Sequence, residues 1–397
     1  MILGLPAGLQ ALRRDELPGR FDAGIALAAL ALAAFGLVMV ASSSIAVADG
    51  AGVSPFHYLG RHVVFLGGGL AFALVLMLVP LAALQAQSRL LLLVAFLLLL
   101  AVFVPGLGRR VNGATRWLNF GITGFQAVEA VKLLLIVYLA SYLVRFQTQV
   151  RSSLIGIMKP LGLVALLVVA LLAQPDFGSA ALLIAIVIGM VWLAGARLRD
   201  LGGLALLGMP VMAIAALAEP YRVKRLTSFL DPWADPFNDG FQLSQALIAI
   251  GRGEWLGVGL GASIQKLYYL PEAHTDFILA VIAEELGLAG VIVVLVLFAV
   301  LVGRALGLGL RAVEKGMPFA GYCAFGIGLW IGVQALVSIG VNLGVLPTKG
   351  LTLPLISSGG SSLLATCAAL GVLLRVSYEV TRREAELALE PVAEDAR

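Results

Sequence analysis

Residues 276–302 read DFILAVIAEELGLAGVIVVLVLFAVLV, and this stretch decides the class of fold. It exceeds the roughly 20 apolar residues that an α-helix needs to cross the hydrocarbon core of a bilayer. Its apolar residues are continuous, whereas a strand of a membrane β-barrel alternates apolar and polar side chains. The stretch predicts a membrane-spanning helix. Two adjacent glutamates within it, Glu284 and Glu285, then need partners or water, so a structural role is open for them.

The rest of the chain has the same character. Of its 397 residues, 60% are hydrophobic and 13% are charged, against about 45–50% and about 25% in soluble globular proteins. This composition excludes a disordered chain, a secreted disulfide scaffold and an ordinary soluble enzyme. It predicts an all-α polytopic membrane protein with ten transmembrane helices. The ten apolar segments lie at about 22–45, 61–80, 88–105, 125–144, 154–173, 179–195, 201–218, 276–302, 318–341 and 361–378.

Basic residues predict the orientation of these segments, because cytoplasmic loops carry an excess of Lys and Arg. With both termini cytoplasmic, fifteen Lys and Arg residues lie inside and five lie in the short outside segments. The fifth and sixth segments are separated only by QPDFG at 174–178. Pro and Gly break helices, and an Asp in mid-membrane is costly, so we expect a tight turn there. A single kinked helix would leave nine spans and would conflict with the charge bias.

The predicted organisation has three parts. Residues 1–21 form a cytoplasmic N-terminal segment, residues 22–378 form the ten-helix domain, and residues 379–397 form a charged, frayed cytoplasmic tail. A large outside loop, 219–275, joins helices 7 and 8, and loops this long in compact proteins are usually functional. Within this loop, residues 241–250 predict a short amphipathic helix on the membrane surface.

Charged side chains within the spans are the first candidates for function, because lipid makes them costly. Glu129 and Lys132 lie three residues apart in the fourth segment, which places them on one face of a helix. One interpretation is a self-neutralising pair that stabilises packing. The other is part of a polar cavity that opens outward.

Asp276 is the second candidate, at the start of the eighth segment. One interpretation is helix capping, since acidic and hydroxyl side chains satisfy free N–H groups at a helix start. Thr275 is also able to cap, however, and Glu272 and His274 add titratable groups beside it. This cluster favours a chemical role for Asp276.

The third candidate is the outside segment 347–362, PTKGLTLPLISSGGSS. Its glycines allow close approach of the backbone. Free N–H groups around Ser361 and Ser362 at the start of the last helix, with Lys349 nearby, suit an anion such as a phosphate. A re-entrant turn with helix caps is the alternative interpretation.

Arg116 is the fourth candidate, together with Arg109 and Arg110 in the same outside segment. Outside loops normally avoid such charge. Their presence indicates an anionic partner, substrate or lipid, with plain solvated charge as the alternative.

Several stretches together resemble one family of membrane proteins, over nearly the whole chain from about Phe21 to Tyr378. They are VNGATRWLNFG (111–121), QAVEAVK (126–132), QPDFGSA (174–180), RLTSFLDPWADPFNDGFQ (225–242), KLYYLPEAHTDFILAVIAEELG (266–287) and PTKGLTLPLISSGGSSL (347–363). On these motifs the chain is similar to the SEDS family (shape, elongation, division and sporulation), in its cell-division branch, FtsW. The rod-elongation branch, RodA, is the nearest alternative.

The resemblance implies a SEDS fold with ten helices and a peptidoglycan glycosyltransferase. Such an enzyme polymerises lipid II into β-1,4-linked glycan strands at the division septum and releases undecaprenyl diphosphate. The family's proposed catalytic carboxylate falls on Asp276, its acid and base of the fourth span fall on Glu129 and Lys132, and its last loop supplies Lys349. Residues expected to bind or support the substrate also include Arg116, His274, Ser361 and Ser362.

The resemblance also implies partners and a location. The partners are lipid II, a class B penicillin-binding protein of the FtsI type, the division proteins FtsQ, FtsL and FtsB, and membrane lipid, with no nucleic acid. The location is the bacterial inner (cytoplasmic) membrane at the septum, with the active site facing the periplasm.

Cofactors and alternative functions complete the expectations. The sequence contains neither a Walker motif nor a dinucleotide fingerprint, so no nucleotide is expected. A divalent cation, Mg²⁺ or Mn²⁺, is an open option, with Asp276 as one ligand. Two other functions stay open: a lipid II flippase, and a scaffold that only recruits the transpeptidase.

Overall fold

The computed structural model describes residues 19–394 except 112, 113, 120, 122, 123, 218, 219 and 268. Most of the predicted N-terminal segment and the end of the predicted tail lie outside the described residues. The helices, in chain order, are α1 (Ala23–Gly50), α2 (His57–Leu78), α3 (Leu81–Ala86), α4 (Ser88–Ala101), α5 (Ala127–Arg145), α6 (Gln147–Ser152), α7 (Leu154–Ala173), α8 (Phe177–Leu193), α9 (Leu198–Leu217), α10 (Pro220–Leu230), α11 (Phe241–Gly253), α12 (Ile278–Glu314), α13 (Pro318–Asn342) and α14 (Gly360–Glu394).

Each of the ten predicted apolar segments falls on one of these helices. Among the described residues, seven helices are long and apolar enough to cross a membrane, namely α1, α2, α5, α7, α12, α13 and the part of α14 up to Leu389. Helices α4 and α8 are shorter apolar helices of 14 and 17 residues. The prediction of a mostly helical, multi-span membrane protein is therefore confirmed.

Helices α5 and α13 lie at the centre of the bundle. In their most apolar windows, 78% and 72% of the residues are buried inside the protein, against 17% in α2. Helix α13 packs against α12, α8, α5 and α14. Because lipid is available only at the periphery, polar side chains on α5 and α13 must find their partners within the protein.

The predicted turn between the fifth and sixth segments is present. Helix α7 ends at Ala173 and α8 begins at Phe177. The Asp176 carboxylate accepts a hydrogen bond from the Ser179 N–H (3.2 Å) and so caps α8, as acidic N-caps generally do. The two segments are separate helices and not one kinked span.

A small sheet corrects the all-α prediction. Strands β1 (Gly108–Val111), β2 (Ala114–Asn119) and β3 (Gly124–Gln126) pair antiparallel in that order. The sequence signal was Asn-Gly at 112–113, a dipeptide typical of two-residue hairpins, although those two residues lie outside the described part. Because β3 leads directly into α5, the sheet positions the start of the central helix.

The C-terminal tail also differs from the expectation of a frayed segment. Helix α14 continues without interruption to Glu394. Ion pairs four residues apart run along it, Arg375 with Glu379 (2.7 Å) and Arg382 with Glu386 (3.5 Å). Such pairs stabilise an exposed helix, so the predicted boundary at 378/379 is not a change of secondary structure.

Helix α12 is broken at Gly287, where φ is 65° and ψ is −164°. The break frees backbone groups, and the segment 254–259 of the long loop pairs with them. For example, the Val258 N–H donates to the Glu284 carbonyl (3.0 Å). Irregular backbone at membrane depth is tolerated where protein covers it, and this segment of the loop provides the cover.

Two cations of the long loop, one of them at the end of α11, neutralise the two adjacent glutamates of α12. Both carboxylates are 0% exposed. Glu284 pairs with the Arg252 guanidinium (2.7 Å), and Glu285 pairs with the Lys266 ammonium (2.7 Å). Glu285 also accepts a hydrogen bond from the Ser42 hydroxyl of α1 (2.8 Å). The geometry supports the structural interpretation of these glutamates, since they attach the loop to α12 and α1.

The helix predicted at 241–250 is present as α11, within the same loop. Helix α11 packs against α12, and Leu243, Ala246 and Ala249 are among its buried residues. Its apolar face therefore packs on protein, so the helix is part of the folded body of the molecule.

Substitution of Gly287 by alanine is expected to lower the stability of the protein. The backbone conformation at Gly287 lies in a region that glycine almost alone adopts, and forcing another residue into such a region costs about 1–3 kcal/mol. A Cβ atom there would also meet the backbone of residues 255–257. We expect a lower midpoint in thermal unfolding of the purified protein in detergent.

The matched control is Gly303→Ala in the same helix. A Cβ atom at Gly303 meets nothing within 4 Å, so this change should leave the midpoint unchanged or raise it slightly. Equal midpoints for Gly287→Ala and Gly303→Ala would contradict the assignment of a glycine-dependent break.

Candidate active site

Asp276 precedes α12 and is half-buried. Its backbone carbonyl accepts a hydrogen bond from the side-chain amide of Asn342 (2.9 Å). The oxygen of that amide accepts a hydrogen bond from the Ala280 N–H (3.1 Å). Asn342 is the buried last residue of α13. The end of α13 therefore holds the start of α12, and with it the position of Asp276.

The loop between α13 and α14 approaches the Asp276 carboxylate at Gly350. A Cβ atom added at Gly350 would lie 3.0 Å from Asp276 Oδ2. This distance is shorter than an ordinary van der Waals contact, so a residue with a side chain requires the carboxylate or the loop to move. The Asp276 carboxylate thus lies against bare backbone of this loop.

Two serines of the same loop bind the residues just before Asp276. The Ser358 N–H donates to the His274 carbonyl (2.9 Å). The Ser357 hydroxyl donates to the Thr275 carbonyl (2.6 Å). Together with Gly350, these contacts join the last loop and the start of α12 into one surface.

Lys349 stands next to Gly350 in this loop. Its ammonium lies 3.8 Å from the centroid of the Phe177 ring, within the range of a cation–π interaction. Phe177 is the first residue of α8. The ammonium is half-buried, and it adds a positive charge at the end of the bundle that holds Asp276.

Arg116 of β2 holds the turn that precedes Phe177. Its Nε donates to the Gln174 carbonyl (3.1 Å), and a second guanidinium nitrogen donates to the Pro175 carbonyl. The Asp176 carboxylate lies 3.9 Å from the guanidinium, whose side chain is 32% exposed. Arg116 therefore uses much of its hydrogen-bonding capacity within the protein, and it supports Lys349 indirectly through Phe177.

The Glu129–Lys132 pair lies one turn inside α5 and is enclosed. The two side chains are 4% and 1% exposed, and the ammonium lies 2.8 Å from the Glu129 carboxylate. The Trp330 ring of α13 covers the ammonium at 4.8 Å from its centroid. Of the two interpretations of this pair, the geometry favours a self-neutralising pair over a cation that faces a cavity.

Gln334 of α13 links this pair to the last loop. Its side-chain oxygen accepts hydrogen bonds from the Lys132 ammonium (2.7 Å) and the Trp330 indole (2.7 Å). Its amide group donates to the Thr352 carbonyl (2.9 Å). The buried charge pair is therefore connected through one glutamine to the backbone two residues from Gly350.

Ser361 and Ser362, at the start of α14, both have internal partners. The Ser361 hydroxyl accepts from the Gln126 N–H (2.9 Å), and the Ser362 hydroxyl accepts from the Thr352 hydroxyl (2.9 Å). Both serines are buried. Their side chains join α14 to the start of α5 and to the last loop, and their hydroxyl groups are not directed at an open anion site.

His274 lies two residues before Asp276, with its ring 5.0 Å from the Tyr58 ring between centroids. Its Nδ1 is buried and has no hydrogen-bond partner among the described residues. Burial lowers the pKa of His274, and the nearby Glu272 carboxylate opposes this shift only in part. The imidazole is therefore neutral at neutral pH and adds no positive charge beside Asp276.

A cavity of about 380 Å³ lies between the small sheet, the residues that follow α4 and the turn between α7 and α8. Arg110 and Thr115 of the sheet line one side, and Ala173 and Pro175 line the other. Pro175 belongs to the turn that leads into Phe177, on which Lys349 packs. The cavity is thus lined by the turn that precedes the ring on which Lys349 packs.

The structure brings the candidates together in two groups. Asp276, His274 and Lys349 line the surface between the last loop and the start of α12. The pair Glu129–Lys132, the two serines and Arg116 lie behind that surface and support it. Sequence reasoning missed Gln334, which links the Lys132 ammonium to the last loop, and Asn342, which binds the backbone of Asp276. A polar side chain inside an apolar span is the signal that would have found both, since such groups need partners there.

Comparison with known proteins now decides the family. A family model for FtsW, RodA and SpoVE, described as a cell cycle protein, matches residues 23–382. The chain belongs to this family. The prediction of the SEDS family made from the motifs is thereby confirmed.

Relatives of the FtsW/RodA/SpoVE family match over most of their length. A protein of Xanthomonas oryzae named "Probable peptidoglycan glycosyltransferase FtsW" is 57% identical over 375 residues, which cover 94% of this chain and 76% of the relative. A protein of the same name from Alkalilimnicola ehrlichii is 51% identical, with 91% of this chain and 90% of the relative covered.

Solved structures of the FtsW/RodA/SpoVE type have the same architecture. One chain, from work described as "Structural coordination of polymerization and crosslinking by a peptidoglycan synthase complex", superposes with a TM-score of 0.74 at 32% identity. The match covers 91% of this chain and 98% of that chain. The rod shape determining protein RodA of Thermus thermophilus gives a TM-score of 0.66 at 30% identity, covering 90% and 96%.

The neutral state of His274 predicts a pH dependence of stability. The pKa of His274 is lower in the folded protein than the ordinary value of 6.5, so the unfolded chain binds more protons in acid. The stabilising contribution is therefore fully present above about pH 6.5 and is lost as the pH falls through the folded-state pKa. We expect the thermal midpoint to decrease between pH 7.5 and pH 5.5.

His274→Gln isolates this effect, because glutamine fills a similar volume and does not titrate. The variant should lose part of the decrease in midpoint that the wild-type protein shows on acidification. Identical pH profiles of the two proteins would contradict the buried, neutral state of His274.

Proposed function

We propose that this chain is a peptidoglycan glycosyltransferase that polymerises lipid II into β-1,4-linked glycan strands, with release of undecaprenyl diphosphate. The observation that carries the proposal is the half-buried Asp276 carboxylate, which lies against Gly350, the residue that follows Lys349. Relatives over most of the chain are named for peptidoglycan glycosyl transfer. A carboxylate next to a cation suits the transfer of a sugar from a diphosphate leaving group.

In the proposed step, Asp276 accepts the proton from the 4-hydroxyl of the acceptor sugar. The oxygen of that hydroxyl forms a bond to the anomeric carbon of the donor while the bond from that carbon to the diphosphate breaks. The α-linked donor thereby becomes a β-1,4 linkage by inversion. A positioned base contributes about 10²–10⁴-fold to such a rate.

The departing diphosphate needs positive charge. Lys349 is a candidate to supply it, because it is half-buried in the loop whose Gly350 lies against Asp276. Preorganised charge directed at a developing anion is a large term in catalysis. The cavity lined by Arg110 and Thr115 is of a size to receive part of the donor or acceptor lipid headgroup.

A divalent cation fits this site only with help from the substrate. Among the described residues, there is no cluster of three or more His, Cys, Asp or Glu side chains placed to hold a metal ion. Mg²⁺ is commonly bound by one or two carboxylates plus substrate phosphates, and Asp276 would be that carboxylate here. Such an ion would supply charge neutralisation for the diphosphate. No nucleotide is required, because the donor is already activated.

Glu129 and Lys132 act in this proposal as a positioning pair. Both are enclosed and bonded within the protein, so they support the last loop through Gln334 and Thr352. Ser361, Ser362 and Arg116 have similar supporting roles. In this assignment, the charged groups that face the substrate are those of Asp276, Lys349 and the cavity residues.

The proposed topology has ten spans over residues 22–378, both termini cytoplasmic, and the 219–275 loop and Asp276 on the periplasmic side. The excess of Lys and Arg in the cytoplasmic segments supports this orientation. The location is the bacterial inner membrane at the division septum. The proposed partners are a class B penicillin-binding protein of the FtsI type and the FtsQ, FtsL and FtsB proteins. A structural relative was solved in a complex that couples polymerization and crosslinking, which supports the first of these.

Asp276→Ala is expected to abolish polymerisation of lipid II by the purified protein in detergent, with and without the transpeptidase. The expected loss is at least about 10²-fold, because the base is removed. The product is measured as glycan strands on a gel. The matched control is Asp239→Ala, an exposed carboxylate of the long loop whose ion pair with Lys224 spans 3.7 Å; it should retain activity.

Polymer formation in detergent also separates this proposal from the two alternatives. A flippase needs a sealed bilayer to act, and a scaffold makes no polymer.

Full activity of Asp276→Ala would refute the assignment of the base. Asp276→Asn assayed over a titration of Mg²⁺ and Mn²⁺ then distinguishes a base from a metal ligand, since only a metal-ligand role shifts the cation dependence of residual activity.

Gly350→Ala is expected to reduce the turnover number by about tenfold, with less effect on KM. The added Cβ atom would lie 3.0 Å from Asp276 Oδ2, and displacement of a catalytic group by about 1 Å costs up to about 10²-fold. The control is Gly68→Ala, where a Cβ atom meets only Leu364 at an ordinary 3.7 Å. Equal turnover in both variants would show that close contact with the last loop does not position Asp276.

A further inference from the structure

A second cavity, of about 270 Å³, lies between the start of α4 and the end of α5. It is far along α5 from the Glu129–Lys132 pair, since about 20 Å of helix separates Lys132 from Arg145 at 1.5 Å per residue. The polar or charged residues that line it are Ser88, Arg89, Tyr138, Ser141, Tyr142 and Arg145. This cavity plays no part in the proposed reaction.

Two guanidinium groups at this cavity lack a carboxylate partner. In the part of the chain that the structure describes, neither Arg89 nor Arg145 forms an ion pair with Asp or Glu, and both are exposed. Both act electrostatically on the Tyr138 phenol. Lys159 of α7 adds a third cation, 5.9 Å from the ring of Phe146, which also lines the cavity. The site therefore carries uncompensated positive charge.

The hydroxyl groups of the cavity differ in their availability. The Tyr142 hydroxyl donates to the Gly156 carbonyl (2.9 Å), and the Ser88 hydroxyl donates to that of Ser141 (3.0 Å). The Tyr138 hydroxyl makes no hydrogen bond within the described residues. One phenol donor therefore remains for a ligand, between two guanidinium groups whose planar forks suit phosphate oxygens.

The exposed face of α4 that continues from Arg89 forms an apolar wall. Leu90, Leu93 and Leu97 of α4 are 55%, 54% and 56% exposed, and they lie on a helix that crosses or enters the membrane. A soluble anion gains nothing from such a wall, whereas the acyl chains of a lipid pack on it. The positions of Arg89 and Arg145 on the proposed topology are cytoplasmic, where anionic lipid attracts basic residues.

We propose that this cavity binds the headgroup of an anionic phospholipid from the cytoplasmic leaflet. Arg89 and Arg145 hold the phosphate, the Tyr138 hydroxyl donates to it, and the acyl chains lie along the exposed face of α4. The proposal uses the cytoplasmic orientation of this end of the bundle but does not depend on catalysis by Asp276. Its failure and the failure of the proposed function are therefore measured separately.

The test is the binding of phosphatidylglycerol to the purified, delipidated protein. Native mass spectrometry measures how many lipid molecules each chain retains. Phosphatidylcholine with the same acyl chains is the comparison lipid. We expect one phosphatidylglycerol to be retained per chain in preference to phosphatidylcholine. Arg89→Gln combined with Arg145→Gln should weaken this binding by at least about tenfold, because both charged donors to the phosphate are removed. Tyr138→Phe should weaken it by about threefold to tenfold.

The control is Arg197→Gln combined with Lys315→Gln, which removes the same number of charges from the same side of the protein, away from the cavity. It should bind phosphatidylglycerol as the wild type does. The lipid-free thermal midpoints of all variants should equal that of the wild type, since the substituted arginines are exposed and Lys315 and Tyr138 are partly exposed. Equal binding of the two lipids, or equal losses in the cavity and control variants, would overturn the proposal. Displacement of phosphatidylglycerol by inorganic phosphate alone would assign the cavity to a free anion and overturn the lipid assignment as well.

Discussion

A lysine ammonium enclosed in a helical bundle must have its charge and its N–H donors satisfied, because neither lipid nor apolar side chains supply partners. Lys132 meets this requirement with the Glu129 carboxylate, the Gln334 amide oxygen and the Trp330 ring. The requirement ties α5 to α13. Because Gln334 also donates to the Thr352 carbonyl, the same requirement positions the loop that lies against Asp276.

A second set of buried charges attaches the long loop to α12. Glu284 and Glu285 take their cations from Arg252 and Lys266, near the two ends of one segment of the long loop. The same segment covers the break in α12 at Gly287. An uncompensated carboxylate at this depth would cost several kcal/mol, so the loop cannot detach without exposing it. The last loop and the long loop are thus each attached by a polar network that is satisfied only when the loop is in place.

The sequence predicted the helices well and the connections between them less well. Long apolar segments need little information from the rest of the chain, because the bilayer demands a helix wherever such a segment enters it. The QPDFG turn was also predictable, because its five residues alone carry the signal that ends a helix. The small sheet at 108–126 was missed, because short strands in a loop are stabilised by pairing across a hairpin rather than by hydropathy. The extension of α14 was missed, because a charged segment was interpreted as frayed when its charges in fact pair along the helix.

The sequence alone determined that this is a helical membrane protein and which few of its residues are charged. Through its motifs it also determined to which family the chain belongs. Only the tertiary structure decided which of those charges face a site and which support it. Glu129, Lys132 and Arg116 have the residue types of substrate-binding groups, yet their partners lie within the protein. Asp276 and Lys349 are half-buried where the last loop meets the start of α12. The physical reason is that hydropathy is a property of each segment, whereas the partner of a buried charge comes from residues far away in the chain, such as Gln334 for Lys132 and Lys266 for Glu285.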